Sequence, residues 1–530
     1  MTDPTPFEDL PIVVAGGGPV GLITALGLVH YGLPVVVLEE DDRLSLDTKA
    51  GTVLTRTLEV LHRYDSVDEV LRNAVRVDEI GELDRATNTP TLSVLTGDLT
   101  EDTRFPFVIN IPQNEMEPVL ADQLERHRPG SLRMGHRLVG FSQDDDAVTI
   151  EVEGPEGPYE MRASYLLGCD GGRSRIRANL DIEVEGKTLE DKYMLVDLNV
   201  DLDINNPRDY PYLAYFGDPE EWMVLVRQPH HWRFLFPLHP GVPEPTREEL
   251  GEKVARFIGE TDSMEIVHTN IYSVHHRVAG SWNVGRIFLM GDAAHLITPM
   301  WALGLNTGVL DSSNLPWRLA WVRRGWAKPS LLAGYEQEQA PIAIKGSGEL
   351  AEAARANMDR RADGVAVMGD GNWGNAYTRS LLGVSLDVDG DGDWSMAKMG
   401  DDPLPIRPGD RAPDLPVYGP DGQVYVHDLC SDSFVALYFT DARRRPEIPE
   451  ISVPGLKHWI VSRWDAPHNA GQRHTSLFDP ADRVRRRYGL AEDCVVLLRP
   501  DSHVAAILPF NPKGDRHVAT RKYLEIVGKA

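Results

Sequence analysis

Cysteine is nearly absent: Cys169, Cys430 and Cys494 are the three in 530 residues. They are too few and too scattered for a disulfide framework, and without a CxxC pair they can neither hold zinc nor run thiol redox chemistry. Cations are scarce as well, with 54 Lys and Arg against 81 Asp and Glu for a net charge of −27. Such a field repels nucleic-acid phosphates and anionic lipid headgroups alike. No apolar run reaches the ~18 residues that cross a bilayer, and the opening MTDPTPFEDLP has neither a basic nor an apolar signal region. The expectation is a cytoplasmic protein with no nucleic-acid or membrane partner. Its composition, 42% hydrophobic and 25% charged, suits two or three packed domains.

What is present begins at residue 11. PIVVA predicts a strand, Leu22, Ile23, Leu26 and Val29 recur at helical spacing until Gly32, and PVVVLEE predicts a second strand. Between them GGGPVG places Gly16, Gly18 and Gly21 in a GxGxxG pattern, with Pro19 opening the helix. The first glycine permits the tight turn, the second lets a pyrophosphate approach the backbone, and the third lets the helix pack on the strand, so that the helix N-terminus faces the phosphates. Glu39 ends the next strand, where its carboxylate accepts from ribose hydroxyls and repels a 2′-phosphate. That selects FAD or NAD over NADP, and leaves the two open.

Two further segments have the same form, a strand delivering a carboxylate and a glycine to its C-terminal edge, where open α/β sheets bind ligands. YLLGCDGGRSRIR presents Asp170 and Gly171, and GRIFLMGDAAHLITPMWALGLNTG presents Gly291 and Asp292 before a glycine-punctuated loop. Segments 136–154 and 220–238 are instead rich in β-branched and aromatic residues, as antiparallel strands are. Trp317 and Trp321, four residues apart on a helix, read as core, and Pro316 should kink or split that helix. DVDGDGD, 387–393, begins like a calcium loop but puts Lys398 where a glutamate is required, so it reads as an acidic surface loop with no metal site. Five prolines between 403 and 416 suggest a linker.

These motifs in this order resemble the single-component FAD monooxygenases with the para-hydroxybenzoate hydroxylase fold, over the whole chain. Within them the chain is most similar to the branch with a C-terminal thioredoxin-like domain, as in phenol, pentachlorophenol and polyketide hydroxylases. The resemblance implies an α/β fold: a discontinuous Rossmann-like FAD domain (1–75, 111–185, 281–365), an antiparallel-sheet substrate domain (76–110, 186–280), a linker (366–409) and a thioredoxin-like domain without CxxC (410–530) used for packing or homodimer contact. It assigns the cofactor to Gly16, Gly18, Pro19, Gly21, Glu39, Gln113, Asp170, Gly171, Gly291, Asp292, Gly304, Leu305 and Asn306. Lys49, also assigned to the cofactor, stands where the family usually has an arginine near the flavin, and Trp301-Ala302 where it usually has more glycine.

The implied reaction uses NADPH or NADH to reduce FAD. O2 then forms a flavin C4a-hydroperoxide, which hydroxylates a phenolic or polycyclic aromatic ring. The Pro299 carbonyl falls near the transferring oxygen, and Tyr215, Trp222, Met300 and Trp301 face the substrate, Trp301 either narrowing the pocket or packing. His275, His276, Tyr212 and Tyr215 are candidates for a base. Baeyer–Villiger oxygenation, a reductase or oxidase without oxygen insertion, and a non-catalytic partner holding a biosynthetic intermediate would all keep the same cofactor motifs.

Overall fold

The computed structural model describes residues 10–46, 51–87, 89–200, 202, 210–218, 221–258, 264–359, 378, 380–383, 385–386, 405–440, 453–463, 476–511 and 514–529. Lys49 and the acidic loop 387–393 lie outside the described residues.

The opening βαβ unit forms as its sequence predicts: β1 (Ile12–Ala15), α1 (Pro19–His30) and β2 (Val35–Glu39). β1 is buried along its whole length, the state of a central parallel strand covered on both faces. It pairs in parallel with β2 on one side and with Tyr165–Gly168 on the other, so that Ile12 sits opposite both Val35 and Tyr165. The six-stranded sheet runs Asn283–Val284, Ile287–Leu289, Tyr165–Gly168, β1, β2, Leu132–Met134. Gly32 ends α1 in a left-handed turn with φ +69°. There its N–H donates to Val29 O at 2.8 Å and that of Leu33 to Leu28 O at 2.9 Å, a Schellman closure.

A second, eight-stranded sheet stands opposite. Its order is His295–Leu296, Glu265–Ala279, Val184–Asn199, Trp232–Leu238, Met223–Arg227, Leu213–Gly217, Glu79–Asp84, Thr89–Leu95, antiparallel except where Leu213–Gly217 meets Glu79–Asp84. Alternation sorts its residues onto two faces. Met194, Val196, Ala214, Phe216, Leu225, Phe234 and Phe236 join a core with helix Arg247–Ile258. The opposite set, among them Leu195, Leu213, Tyr215, Val224, Val226 and Leu235, faces the first sheet.

The C-terminal unit is a seven-stranded thioredoxin-like α/β sheet centred on Phe434–Phe439, parallel to Leu456–Ser462 and antiparallel to Cys494–Leu498. Val435, Leu437 and Phe439 fill its own core, while Phe434, Ala436 and Tyr438 belong to the main core of the chain. The proline-rich stretch does not reveal that intimacy. The described cysteines are free.

Helix Leu303–Arg323 runs unbroken through Pro316, correcting the expectation of a split. Proline cannot donate to the carbonyl four residues back, and here Tyr64 supplies the donor, its hydroxyl reaching Ser312 O at 2.9 Å. Trp317 and Trp321 on this helix are buried, in edge contact with each other and with Phe434. Among the described residues no helix is long and apolar enough to cross a membrane.

Candidate active site

One cavity of about 1100 Å³ opens between the two sheets. At one end lies the glycine turn. Gly16 holds φ +111°, and a Cβ there would sit 2.3 Å from Cys169 O; a Cβ on Gly21 would meet Gly16 O at 2.0 Å. Both glycines are demanded by backbone approach. Gly18 is different, since a Cβ there would meet nothing within 4 Å: the space beside it is open to the cavity. Gly18 also precedes Pro19 at the first position of α1, so the free N–H groups of the helix start aim at that space.

Glu39 borders the same end, and its Oε2 accepts from Gly17 N at 2.6 Å and its Oε1 from Asp41 N at 3.0 Å. A carboxylate accepts about four hydrogen bonds, so capacity remains for ribose hydroxyls. Asp170 and Gly171 line the next stretch. Oδ2 of Asp170 takes the N–H of Ile176 at 3.1 Å, whereas its Oδ1 is buried without a donor among the described residues. Such an orphaned acceptor is costly unless a ligand hydroxyl fills it. Gln113 donates to Glu117 Oε1 at 2.7 Å, and both face the cavity. Cys169 lies beneath; burial, then the Asp170 carboxylate, pushes its thiol well up, so it is inert as a nucleophile.

Asp292 lines the middle of the cavity. Its neighbour Gly291, at φ +56°, donates its N–H to Asp311 Oδ2 at 2.8 Å, and the same oxygen lies 3.0 Å from His295 Nε2. This wholly buried Asp311–His295 pair ties the Asp292 turn to helix Leu303–Arg323, whose start presents Ala302, Gly304 and Leu305, with Pro299 just before. Trp301 and Ala302 both hold φ +57°, a left-handed conformation that costs L residues about 1–2 kcal/mol each.

Asn306 pins that turn. Its Oδ1 accepts from Leu54 N (2.9 Å) and Thr57 Oγ1 (2.7 Å), and its Nδ2 donates to Thr52 O (3.1 Å) and Ala302 O (2.6 Å). It thereby fastens the helix start to β3 (Thr52–Val53) and α2 (Thr55–Arg63). Its amide is fully engaged by the protein, which makes it a positioning residue for the loop.

The structure therefore brings Gly16, Gly18, Pro19, Glu39, Gln113, Asp170, Gly171, Asp292, Pro299, Gly304, Leu305 and Tyr215 to one cavity wall. Gly21, Gly291 and Asn306 stand behind it. Met300 and Trp301 are buried off the wall, so Trp301 packs, and Trp222 packs edge-on against Tyr193 at 4.9 Å. Of the four base candidates, His275 and Tyr215 reach the cavity; Tyr212 sits against Trp232 and His276 against Gly348.

The far end of the cavity holds residues that the sequence did not single out: Arg233, Asn270, Tyr272 and Ser273. Arg233 is cross-strand partner to Asp197 and bonds it twice, Nε to Oδ1 at 2.8 Å and Nη2 to Oδ2 at 3.0 Å. Burial alone would raise Asp197; hydrogen bonds from His231 and Arg233 instead pull it down to about 2. Burial pushes the Tyr272 phenol up to about 12, so it stays a neutral donor. The one signal for this cluster was a lone arginine within the apolar run WRFLFPL.

A family model described as an FAD-binding domain matches residues 9–346. Para-nitrophenol 4-monooxygenase of Pseudomonas sp. (strain WBC-3) is 30% identical over 341 residues, 63% of this chain and 83% of that enzyme. The 3-(3-hydroxy-phenyl)propionate/3-hydroxycinnamic acid hydroxylase of Mycolicibacterium smegmatis is 32% identical over 336 residues, 62% of this chain; the match spans 58% of that enzyme's length. Among solved structures, the ternary complex of aklavinone-11 hydroxylase with FAD and aklavinone superposes with a TM-score of 0.81 at 25% identity, over 98% of this chain and 99% of that one. The chain belongs to the FAD-binding domain family, in the class of FAD-dependent aromatic monooxygenases. The open space beside Gly18, the orphaned Asp170 Oδ1 and the acceptor at Glu39 fit that cofactor.

Proposed function

We propose that this chain hydroxylates a phenolic or polycyclic aromatic compound, with NADPH or NADH as reductant and O2 as oxidant. The observation that carries the reading is the continuity of the cavity, which joins the glycine turn and Glu39 to an apolar sheet face by way of Asp170, Asp292 and the start of helix Leu303–Arg323. Bound there, FAD would supply the redox chemistry that links the reductant to O2, so that one oxygen atom enters an electron-rich ring and the other is released as water. The match along nearly the whole length of aklavinone-11 hydroxylase supports placement in the branch with a thioredoxin-like C-terminal domain.

The chain's own groups do the rest. Gly18 and the α1 N-terminus take the pyrophosphate, Glu39 the adenosine ribose, and Asp170 and Asp292 further hydroxyls. The exposed N–H groups at the start of helix Leu303–Arg323 supply partial positive charge where the cavity turns toward the second sheet, which favours negative charge developing there. Leu195, Leu213, Val224, Val226 and Leu235 exclude water around the ring. His275, with Nδ1 2.9 Å from Thr188 Oγ1, is held below the ordinary histidine range by burial and then by Arg277 and Arg173. Neutral near pH 7, it is able to accept a proton.

Turnover with 18O-labelled O2 and a panel of phenols tests this: label is expected in the product ring. Consumption of reductant and O2 with no hydroxylated product overturns it in favour of an oxidase.

A further inference from the structure

We infer that the C-terminal unit is a positioning module for the cavity: Arg411, acting through Glu59, holds α2 where Leu54 and Thr57 fix Asn306 and the left-handed turn before it. The inference rests on the hydroxylase reading above, which sets the flavin against the start of helix Leu303–Arg323. α2 has two sides with different partners. Arg56, Glu59 and Arg63 follow at spacings of three and four residues, which aligns them on one side of the helix. That side meets the C-terminal unit: Arg56 Nη2 donates to Asp501 O at 2.6 Å, Arg63 Nη2 to Ser502 Oγ at 2.5 Å, and Arg411 forks onto Glu59, Nε to Oε2 at 2.8 Å and Nη2 to Oε1. From the other side Leu54 N and Thr57 Oγ1 donate to Asn306 Oδ1.

The Glu59–Arg411 pair is the firmest of these links. Both side chains are buried, 1% and 6% exposed. The Glu59 carboxylate takes two hydrogen bonds from Arg411, one from Arg56 Nη1 at 2.9 Å and one from Thr103 Oγ1 at 2.6 Å, which fills its capacity. Of these donors Arg411 alone comes from the C-terminal unit. Burial by itself would raise the Glu59 carboxyl; Arg411 foremost, with His427 and Arg56, holds it well below the usual carboxylate range. A two-point pair between a planar guanidinium and a carboxylate fixes direction as well as distance. Without it α2 is free to shift, and a close-packed interior passes that shift to Asn306 and to Trp301 and Ala302. A second fork across the same seam offers a control: Arg483 bonds Glu101, Nε to Oε2 and Nη2 to Oε1, both at 2.8 Å, and not α2.

The test measures flavin dissociation from the loaded full-length protein by the rise of flavin fluorescence on dilution, with urea denaturation of each variant beside it. Arg411→Ala is expected to weaken flavin binding about 3–30-fold, the range for residues that act on a site through others. Arg411→Lys keeps the charge but loses the fork, so a smaller loss is expected, and it carries the test where Arg411→Ala does not fold. Arg483→Ala should leave flavin affinity unchanged. In an Asn306→Ala background the loss from Arg411→Lys should shrink, because the link to the turn is already broken. A merely structural role would move the urea midpoints and leave the flavin affinity of the folded protein alone. Unchanged affinity in the folded Arg411 variants, an equal loss in Arg483→Ala, or the same loss with and without Asn306 overturns the inference. The expected affinities without 18O in the product overturn the hydroxylase reading alone.

Discussion

Replacing Asn306 by alanine should loosen the turn at the heart of the cavity. The side chain answers one buried backbone N–H, of Leu54, and two carbonyls, of Thr52 and Ala302. Each group left unpaired costs ~1–3 kcal/mol, and water entering the vacated space recovers part of it. Against that loss stands the strain of Trp301 and Ala302, both at φ +57°, part of which is released once the turn is free to relax. Together these give a destabilisation of about 3 kcal/mol for Asn306→Ala. Ala302→Gly alone should stabilise by about 1 kcal/mol, because glycine adopts the left-handed conformation without penalty. If Asn306 holds the strained turn in place, the gain from Ala302→Gly must shrink in the Asn306→Ala background. Urea denaturation of the four proteins of this cycle, followed by tryptophan fluorescence, measures the coupling. An unchanged midpoint for Asn306→Ala, or the same gain from Ala302→Gly in both backgrounds, would refute the reasoning.

Gly16→Ala forces a Cβ to 2.3 Å from Cys169 O at φ +111°; a loss of about 2–6 kcal/mol follows from strain and overlap together, with release of flavin visible on gel filtration. His427 offers a pH test of the seam between α2 and the C-terminal unit, where its Nε2 lies 2.7 Å from Ala412 O and its Nδ1 3.9 Å from Glu59. Burial lowers it to about 4, below its unfolded value of about 6.5. The unfolded chain thus takes the proton first, so stability is full above that unfolded value and falls as pH drops from there toward about 4, by on the order of 3 kcal/mol. His427→Gln should flatten this acid limb in denaturant midpoints measured at several pH values; an unaltered limb counts against it.

Much of the cofactor end is legible in the sequence. Glycines at 16, 18 and 21, Pro19 and Glu39 lie within one βαβ unit, so spacing alone brings them together. Asp170 and Asp292 are legible for the same reason, each delivered by an apolar strand to the edge of a parallel sheet. Asn306 stands out in the sequence, but its role does not, because its partners Thr52, Leu54 and Thr57 come from a segment some 250 residues away along the chain. The far end of the cavity is poorly legible: Trp222, Met300 and Trp301 are buried off its wall, while Arg233 and Tyr272 line it.

The sequence by itself determined the local geometry of the opening βαβ unit, with its strand, its glycine turn at Gly16, its helix opened by Pro19 and closed at Gly32, and its second strand ending at Glu39; these are properties of residues near one another in the chain. Only the tertiary structure decided that Pro316 leaves its helix intact, because the donor that repairs it is Tyr64 on the turn that follows α2. The same holds for Arg233, whose pairing with Asp197 is set by the register that places the two on opposite strands. Register and packing join elements far apart in the chain, and no local pattern records them.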